Sequence, residues 1–249
     1  KMKNILITGA SSGLGLFLAK HFNNAGFEVT TIGKDKSKIK KLKSYLQNKN
    51  KKNCLSMDLN SQKNLNKLFK FLKGKKFNAV IHCLGGGFGK HDPLINKKDL
   101  DYLFNLNVGI ALAINKEIVE KKLFKNNLKL VHMGSVAGLE ATASVGYSMV
   151  KASLISYTKT LSKHLINKNI FVHCVLPGAF EYEYNSFERL KIKNRKMYNN
   201  FIKKKLPRKK IAKAENMIGL FKLLISDDGN MLTGSSITID FAESNSFRL

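Results

Sequence analysis

The chain has 249 residues, of which 43% are hydrophobic, and 44 Lys and Arg face only 17 Asp and Glu, a formal net charge of +27. This length and apolar content predict one sizeable domain with a single core, and no apolar run approaches the roughly 20 residues of a membrane span. No charged-then-apolar signal pattern opens the sequence, so a soluble, cytoplasmic protein is expected.

The excess of positive charge has two interpretations. Such a charge is typical of proteins that bind nucleic acid or anionic membranes, but it also follows from a general compositional bias. The lysines lie on the polar faces of several predicted helices rather than in one basic tail, which favours the compositional interpretation. Nucleic acid is therefore not expected as a partner. An attraction for anionic ligands, including phosphorylated cofactors or an acidic carrier protein, remains open.

The three cysteines show no functional spacing. Cys54, Cys83 and Cys174 are far apart and lie within apolar runs. They form neither a metal-ligand pattern nor a disulfide framework, so we expect reduced, buried thiols and no metal site.

Apolar segments with strand character alternate with amphipathic helical segments along the whole chain. Strands are predicted at residues 4–8, 28–32, 53–57, 79–83, 129–133, 170–176 and 236–240. Helices are predicted at residues 14–25, 36–48, 65–72, 100–122, 145–165 and 214–224. Repeated βα units with right-handed crossovers predict an α/β fold. The expected architecture is a Rossmann-type, doubly wound parallel sheet of about seven strands, in a single domain spanning residues 1–249.

One segment departs from the alternation. Residues 180–210 are rich in charged and aromatic side chains, follow a Pro-Gly pair, and include a weakly periodic stretch at residues 187–205. Because this segment follows a strand, it is predicted to lie over the carboxyl edge of the sheet. We expect it to act as a substrate lid.

A glycine-rich turn joins the first predicted strand to the first predicted helix. It contains Gly9, Ser11, Ser12, Gly13, Leu14 and Gly15. Glycines at these positions permit a tight turn, close approach of a pyrophosphate, and close packing of the helix on the strand. The helix N-terminus offers free N–H groups and a positive dipole end to that anion. The turn therefore predicts a dinucleotide site.

The end of the second strand bears on the choice of cofactor. An acid at this point, which would bind the ribose 2′-hydroxyl of NAD, is replaced by Gly33 followed by Lys34. A cation favours a 2′-phosphate, so NADP(H) is preferred over NAD(H), although Asp35 is the next residue. After the third strand, Asp58 and Leu59 are expected to contact the adenine. Alternatively, Asp58 caps the helix that follows, although Asn60 or Ser61 could cap it equally well.

Three residues form a candidate catalytic group. Tyr147 and Lys151 are four residues apart in a predicted helix, so they share one face. An ammonium near a phenol favours the tyrosinate, and we expect Lys151 to lower the pKa of Tyr147. Ser135 follows the strand whose carboxyl end lies beside the start of that helix, where its hydroxyl can bind a substrate carbonyl.

With these motifs, the chain resembles the short-chain dehydrogenase/reductase superfamily in its short single-domain branch. Residues 8–15 match the TGxxxGxG motif, residues 147–151 match YxxxK, and Ser135 matches the catalytic serine. Asn107 resembles the asparagine that completes the tetrad, and Pro177-Gly178 the PG turn after the sixth strand. The resemblance covers nearly the whole chain.

The resemblance implies a role for each of these residues. Tyr147 would be the acid/base, Lys151 would hold the nicotinamide ribose, Ser135 would orient the carbonyl, and Asn107 would hold a water in a proton relay. The NNAG motif is altered, because only Gly85 of its four residues is present. We expect Gly85, Pro177 and Gly178 to contact the cofactor through the backbone.

These observations predict an NADP(H)-dependent carbonyl reductase or alcohol dehydrogenase. The nearest functional resemblance is to 3-oxoacyl-carrier-protein reductases, and a sugar-type or other small polar ketone is the alternative substrate. A non-catalytic NADP-binding sensor is the alternative of another class. The resemblance also implies a homo-oligomer, tetramer or dimer, paired through the helices at residues 100–122 and 145–165.

Overall fold

The computed structural model describes residues 3–246, and strands and helices alternate along that range as predicted. The strands are β1 (Asn4–Thr8), β2 (Glu28–Gly33), β3 (Cys54–Ser56), β4 (Phe77–His82), β5 (Phe124–Met133), β6 (Ile170–Pro177), β7 (Phe180–Glu181), β8 (Ala212–Lys213) and β9 (Ser236–Ile239). The helices are α1 (Gly13–Asn24), α2 (Lys36–Tyr45), α3 (Asn48–Lys51), α4 (Gln62–Leu72), α5 (Lys97–Phe104), α6 (Ile110–Glu120), α7 (Val145–Leu165), α8 (Ser186–Lys193), α9 (Arg195–Lys205) and α10 (Ile218–Leu224). None of these helices is long and apolar enough to cross a membrane.

Within residues 3–246, seven strands form one parallel sheet in the order β3-β2-β1-β4-β5-β6-β9. Both faces of the sheet are covered. Ile5 and Ile7 of β1 pack into the apolar core on the side of α1 and α10, whereas Leu6 packs into the core on the side of α4 and α6. This alternation follows from the two-residue period of a strand. The structure confirms the predicted single-domain, Rossmann-type, doubly wound α/β fold.

The predicted helix at residues 100–122 is not continuous. A π-helical segment, Asn105–Gly109, separates α5 from α6. The cause is Asn107, whose side-chain Nδ2 donates to the Leu103 carbonyl at 2.9 Å. In an α-helix that carbonyl would instead accept from the backbone N–H of residue 107. An inserted side chain of this kind widens the helix locally, and such π-segments are frequent at functional sites.

Residues 180–213 form a small unit beside the main sheet. Strands β7 and β8 pair with each other, and α8 and α9 lie between them in the chain. Glu181 joins the unit together, because it accepts from Lys191 Nζ of α8 at 2.7 Å and from the Tyr198 hydroxyl of α9. The predicted lid is thus an ordered helical pair; its function as a lid stays a prediction.

A buried polar network joins the sheet to two helices. His82 of β4 and His132 of β5 stack with ring centroids 5.3 Å apart. The side chain of Asn115 in α6 bridges them, with 2.8 Å to His82 Nε2 and 2.9 Å to His132 Nε2. His132 Nδ1 is 3.0 Å from the Thr158 hydroxyl of α7. The sequence places both histidines on neighbouring strands, and the structure makes them core residues rather than cleft residues.

The buried histidines are expected to make the stability of the folded chain sensitive to acid. Burial lowers the pKa of His82 to about 4, lowers that of His132 well below its ordinary value, and lowers that of His173 to about 4. Because the unfolded chain then binds more protons than the folded one, the free energy of unfolding should fall as pH drops from about 6.5 towards 4. Three such groups correspond to a slope of about 4 kcal/mol per pH unit at most.

Urea unfolding measured between pH 7 and pH 4.5 tests this prediction. The His82→Asn variant should lose about a third of the slope. The matched variant His91→Asn changes an exposed histidine and should keep the slope of the unmodified protein. Equal slopes in all three proteins would contradict the assignment.

Candidate active site

A cleft of about 970 Å³ opens along the carboxyl edge of the parallel sheet. It lies beside the point where the strand order reverses, between β1 and β4, which is where open α/β sheets bind their ligands. Each nearby strand contributes the residues that follow it, together with residues of α7, α8 and the C-terminal segment. They include Ser12–Leu14 after β1, Gly85–Gly89 after β4, Gly134–Ala137 after β5, Pro177–Phe180 after β6, and Tyr147, Lys151, Arg189 and Glu243.

The glycine-rich turn has the shape of a phosphate site. Gly9 has φ of +71°, and a Cβ on it would lie 2.6 Å from the backbone nitrogen of Leu84. A Cβ on Gly15 would collide with the Gly9 backbone, so the helix packs on the strand as the sequence predicts. Helix α1 begins at Gly13, and its N-cap, Ser12, makes no side-chain capping bond. No side chain caps the first turn, so apart from the Gly13 N–H, which binds Glu183, its N–H groups can receive an anion, and the residues present fit a dinucleotide pyrophosphate.

The segment after β7 lies directly on this turn. The Gly13 N–H donates to the Glu183 carbonyl at 2.8 Å, and the Glu183 carboxylate accepts from Lys20 Nζ of α1 at 2.6 Å. A Cβ on Gly13 would lie 3.2 Å from Cβ of Asn185. The predicted lid therefore starts against the glycine-rich turn, a contact for which the sequence contains no signal.

The residues predicted at the adenosine end lie together beyond β2 and β3. A Cβ on Gly33 would lie 2.8 Å from Cβ of Ser11. Lys34 Nζ is exposed and lies 3.9 Å from Asp58 Oδ2. Asp35, the competing acid, caps α2 by accepting from the Lys38 N–H at 3.0 Å, so it is already engaged.

The alternative role of Asp58 as a helix cap is wrong. Helix α4 begins at Gln62 with Ser61 as its N-cap, and Asp58 Oδ1 instead accepts from the Asn60 N–H. The side chain of Leu59 is buried in the core on the α4 side of the sheet, so only its backbone is open to a cofactor.

Ser135, Tyr147 and Lys151 meet at the floor of the cleft. Ser135 and Tyr147 both line the cleft, and Ser135 is placed to hydrogen-bond the Tyr147 hydroxyl, an interaction that lowers the pKa of Tyr147. Lys151 Nζ donates to the Met133 carbonyl at 2.7 Å and lies 5.5 Å from the centroid of the Tyr147 ring. The strand end at Met133 and the start of α7 thus converge as predicted.

The predicted direction of the Tyr147 pKa is wrong for this arrangement. Burial raises the pKa of Tyr147, and the hydrogen bond with Ser135 opposes that rise only in part. Burial also lowers the pKa of Lys151 to about 8, so the same enclosure disfavours both charged forms. Tyr147 is therefore a protonated phenol at neutral pH, a state suited to donating a proton.

Asn107 approaches the same place from the π-helical segment. Its Oδ1 accepts from the Gly86 N–H at 2.9 Å, and its Nδ2 donates to the Gly86 carbonyl at 3.0 Å. A Cβ on Gly85, whose φ is +154°, would lie 2.5 Å from Asn107 Oδ1 and 3.2 Å from Lys151 Nζ. Gly85 thus has to be glycine, since its backbone passes between these two side chains. The side chain of Asn107 thus holds the segment that follows β4, and its role in a proton relay stays a prediction.

Pro177 ends β6, and Gly178 follows it at the cleft. The Gly178 N–H donates to the Ile239 carbonyl of β9 at 3.2 Å, and the next residue, Ala179, donates to a carboxylate oxygen of Glu243 at 2.5 Å. These two bonds attach the PG turn to β9 and to the segment that follows β9.

Comparison with known proteins agrees with this geometry. The family profile described as short chain dehydrogenase matches residues 3–192. The chain belongs to the short-chain dehydrogenase family. Two relatives of this short-chain dehydrogenase are 3-oxoacyl-(acyl-carrier-protein) reductases. That of Aquifex aeolicus is 24% identical, with 94% of each chain covered, and that of Buchnera aphidicola subsp. Schizaphis graminum is 26% identical, with 96% of each covered.

A solved structure has the same fold. L-sorbose reductase from Gluconobacter frateurii, complexed with NADPH and L-sorbose, superposes with a TM-score of 0.84 at 19% sequence identity. The match covers 99% of this short-chain dehydrogenase and 98% of that chain. At this identity the likeness establishes the fold.

Proposed function

We propose that this short-chain dehydrogenase is an NADP(H)-dependent oxidoreductase that interconverts a carbonyl and an alcohol, with Tyr147 as the acid/base. The observation that carries the proposal is the meeting of Tyr147, Ser135 and Lys151 in one cleft with the glycine-rich turn. A non-catalytic sensor has no need of a serine, a tyrosine and a lysine brought together at the cleft floor.

The residues that would hold the cofactor follow the cleft from one end to the other. First-turn amides of α1, together with Ser11 and Ser12, would bind the pyrophosphate, and Gly85, Pro177 and Gly178 would border the nicotinamide. Lys34 would bind the 2′-phosphate, and Asp58 and Leu59 would border the adenine. The NADPH bound to L-sorbose reductase supports this choice of cofactor. When bound, the nicotinamide supplies or accepts the hydride.

The proton is handled by the chain's own side chains. Tyr147 donates its hydroxyl proton to the carbonyl oxygen during reduction, and its raised pKa keeps that proton in place at neutral pH. Ser135 donates a hydrogen bond to the same oxygen and so orients it. Lys151, fixed by the Met133 carbonyl, places a cation beside the phenol and stabilises its anionic form once the proton has left. The two hydrogen bonds between Asn107 and the Gly86 backbone hold Gly85 and Gly86 in place at the cleft.

Two substrate classes are supported by different observations. The sequence relatives that reduce 3-oxoacyl-carrier-protein support a 3-oxoacyl thioester, and the basic surface suits an acidic carrier. The cleft supports a small polar ketone instead, because Arg189 and Glu243 line it together with His91. The homo-oligomer stays a prediction in either case.

The test is NADPH and NADH binding by fluorescence, followed by NADPH oxidation with acetoacetyl thioesters and hydroxylated ketones. We expect NADPH to bind at least about tenfold more tightly than NADH, since a cation beside the 2′-phosphate contributes on the order of 1 kcal/mol or more. Turnover with a carbonyl substrate would support the reaction class. Failure to bind either cofactor would contradict the whole proposal.

A further inference from the structure

Glu243 brings a carboxylate into the cleft from the far end of the chain. It follows β9, the edge strand beside β6, and its Oε2 accepts from the Ala179 N–H at 2.5 Å. Gly178 makes this approach possible, because a Cβ there would collide with the Glu243 carboxylate. The same side chain lines the cleft that contains Ser135 and Tyr147. The carboxylate is therefore held in place at the wall of the substrate space.

The charge of Glu243 is not neutralised by a neighbour. In a chain of +27, no Lys or Arg of the described residues lies within ion-pair distance of it. Its pKa is raised by burial first, and then by Asp240 and Glu140. Among residues 3–246, no group donates a hydrogen bond to its second oxygen, Oε1. Oε1 is not among the buried unpartnered atoms of the described residues, so it is open to the cleft, where water or a donor group of a ligand can bind it.

The cleft restricts what that ligand is. A phosphate or carboxylate at Glu243 is repelled by its charge. An ammonium is attracted at Glu243 itself, but the rest of the described cleft lining holds two cationic residues, Lys151 and Arg189, which disfavour a cationic substrate. A neutral hydroxyl group is repelled by neither, and it donates a strong hydrogen bond to a carboxylate oxygen.

We propose that Glu243 is a specificity-determining residue that binds a hydroxyl group of the substrate, so that the substrate is a small hydroxylated ketone or the corresponding polyol. This inference rests on the proposed carbonyl chemistry at Tyr147 and selects between its two substrate classes. It assigns Glu243 to substrate binding and leaves the proton with Tyr147.

A matched pair of ketones tests the proposal. 1-Hydroxy-2-butanone and 3-pentanone have the same heavy-atom shape and differ by a hydroxyl in place of a methyl group. The unmodified protein should show a kcat/KM at least about tenfold higher for the hydroxyketone, because a hydrogen bond to a charged acceptor contributes about 1.5–3 kcal/mol. The difference should lie mainly in KM, since Glu243 binds substrate in both ground and transition states.

Two variants separate binding from a structural role. In Glu243→Gln the amide oxygen still accepts the Ala179 N–H, but the cleft then faces an amide nitrogen that cannot accept. We expect kcat/KM for the hydroxyketone to fall about tenfold further than kcat/KM for 3-pentanone, so that the preference is lost. Glu140→Gln is the control: Glu140 is a nearby acid that accepts from the Ser246 N–H at 2.6 Å and does not line the cleft. It should keep the preference.

Each result has a distinct meaning. An unchanged preference in Glu243→Gln, or equal losses on both ketones, would overturn the role of Glu243. A preference of the unmodified protein for 3-pentanone or for acetoacetyl thioester would overturn it as well, even if the variant fails to fold. Full activity of a Tyr147→Phe variant on either ketone would instead contradict the proposed function. No turnover with any carbonyl would contradict both.

Discussion

Replacement of Tyr147 by phenylalanine should lower kcat for carbonyl reduction about a thousandfold, with NADPH binding changed by less than about threefold. The variant removes only the hydroxyl that faces Ser135 and leaves the ring at the floor of the cleft. Because the proton donor is lost while the cofactor contacts remain, the effect should fall on kcat. Stopped-flow NADPH oxidation and fluorescence titration measure the two quantities separately.

Tyr157 supplies a matched control on the same helix. Its hydroxyl accepts from Asn115 Nδ2 at 3.2 Å and lies outside the cleft. Tyr157→Phe should therefore cost about 1 kcal/mol of stability and change kcat less than about threefold. Activity of Tyr147→Phe within tenfold of the unmodified protein would remove the acid/base assignment, and the non-catalytic NADP-binding sensor would then be the better interpretation.

Lys34→Glu should reverse the cofactor preference. The change replaces attraction by repulsion at a 2′-phosphate of charge near −2. Unit charges about 4 Å apart in water interact by about 1 kcal/mol, so after screening we expect a loss of about 3 kcal/mol, or roughly a 100-fold rise in the Kd of NADPH. NADH lacks that phosphate, and its Kd should change less than about threefold. Asp58, 3.9 Å from Lys34, adds to the repulsion once the lysine is gone.

Lys40 provides the control for total charge. It lies on α2, one turn after the first residue of that helix, and its side chain is exposed. Lys40→Glu makes the same change in net charge without touching the predicted phosphate position, so the ratio of the two Kd values should stay within about twofold. A parallel loss of NADPH affinity in both variants would assign the effect to the basic surface as a whole. It would then argue against Lys34 as the 2′-phosphate ligand.

The sequence pattern was sufficient to predict those features of the structure that depend on residues close together in the chain. The central residues 5–7 of β1 are buried on both faces of the sheet and are therefore all apolar, and the glycines of the first turn are required by the backbone around them. The spacing of Tyr147 and Lys151 places them on one helix face whatever surrounds the helix. The fold class, the strand positions and the meeting of Ser135, Tyr147 and Lys151 in one cleft could be predicted for this reason, and their catalytic role stays a prediction.

Some local predictions failed because a distant contact changed the outcome. The helix predicted at residues 100–122 is interrupted because the Asn107 side chain bonds both the Leu103 carbonyl and the backbone of Gly86, in the segment that follows β4. The pKa of Tyr147 is raised because burial outweighs its hydrogen bond, and burial is a property of the packed chain.

What the sequence determined by itself is the order of elements and the chemistry that local spacing imposes. Only the tertiary structure decided which distant residues share the cleft: Glu183 against Gly13, and Glu243 against Ala179. The physical reason is the order of the strands. Because β9 lies beside β6, the C-terminal segment reaches the wall of the cleft at Glu243. No periodicity along the chain indicates that these two strands are neighbours.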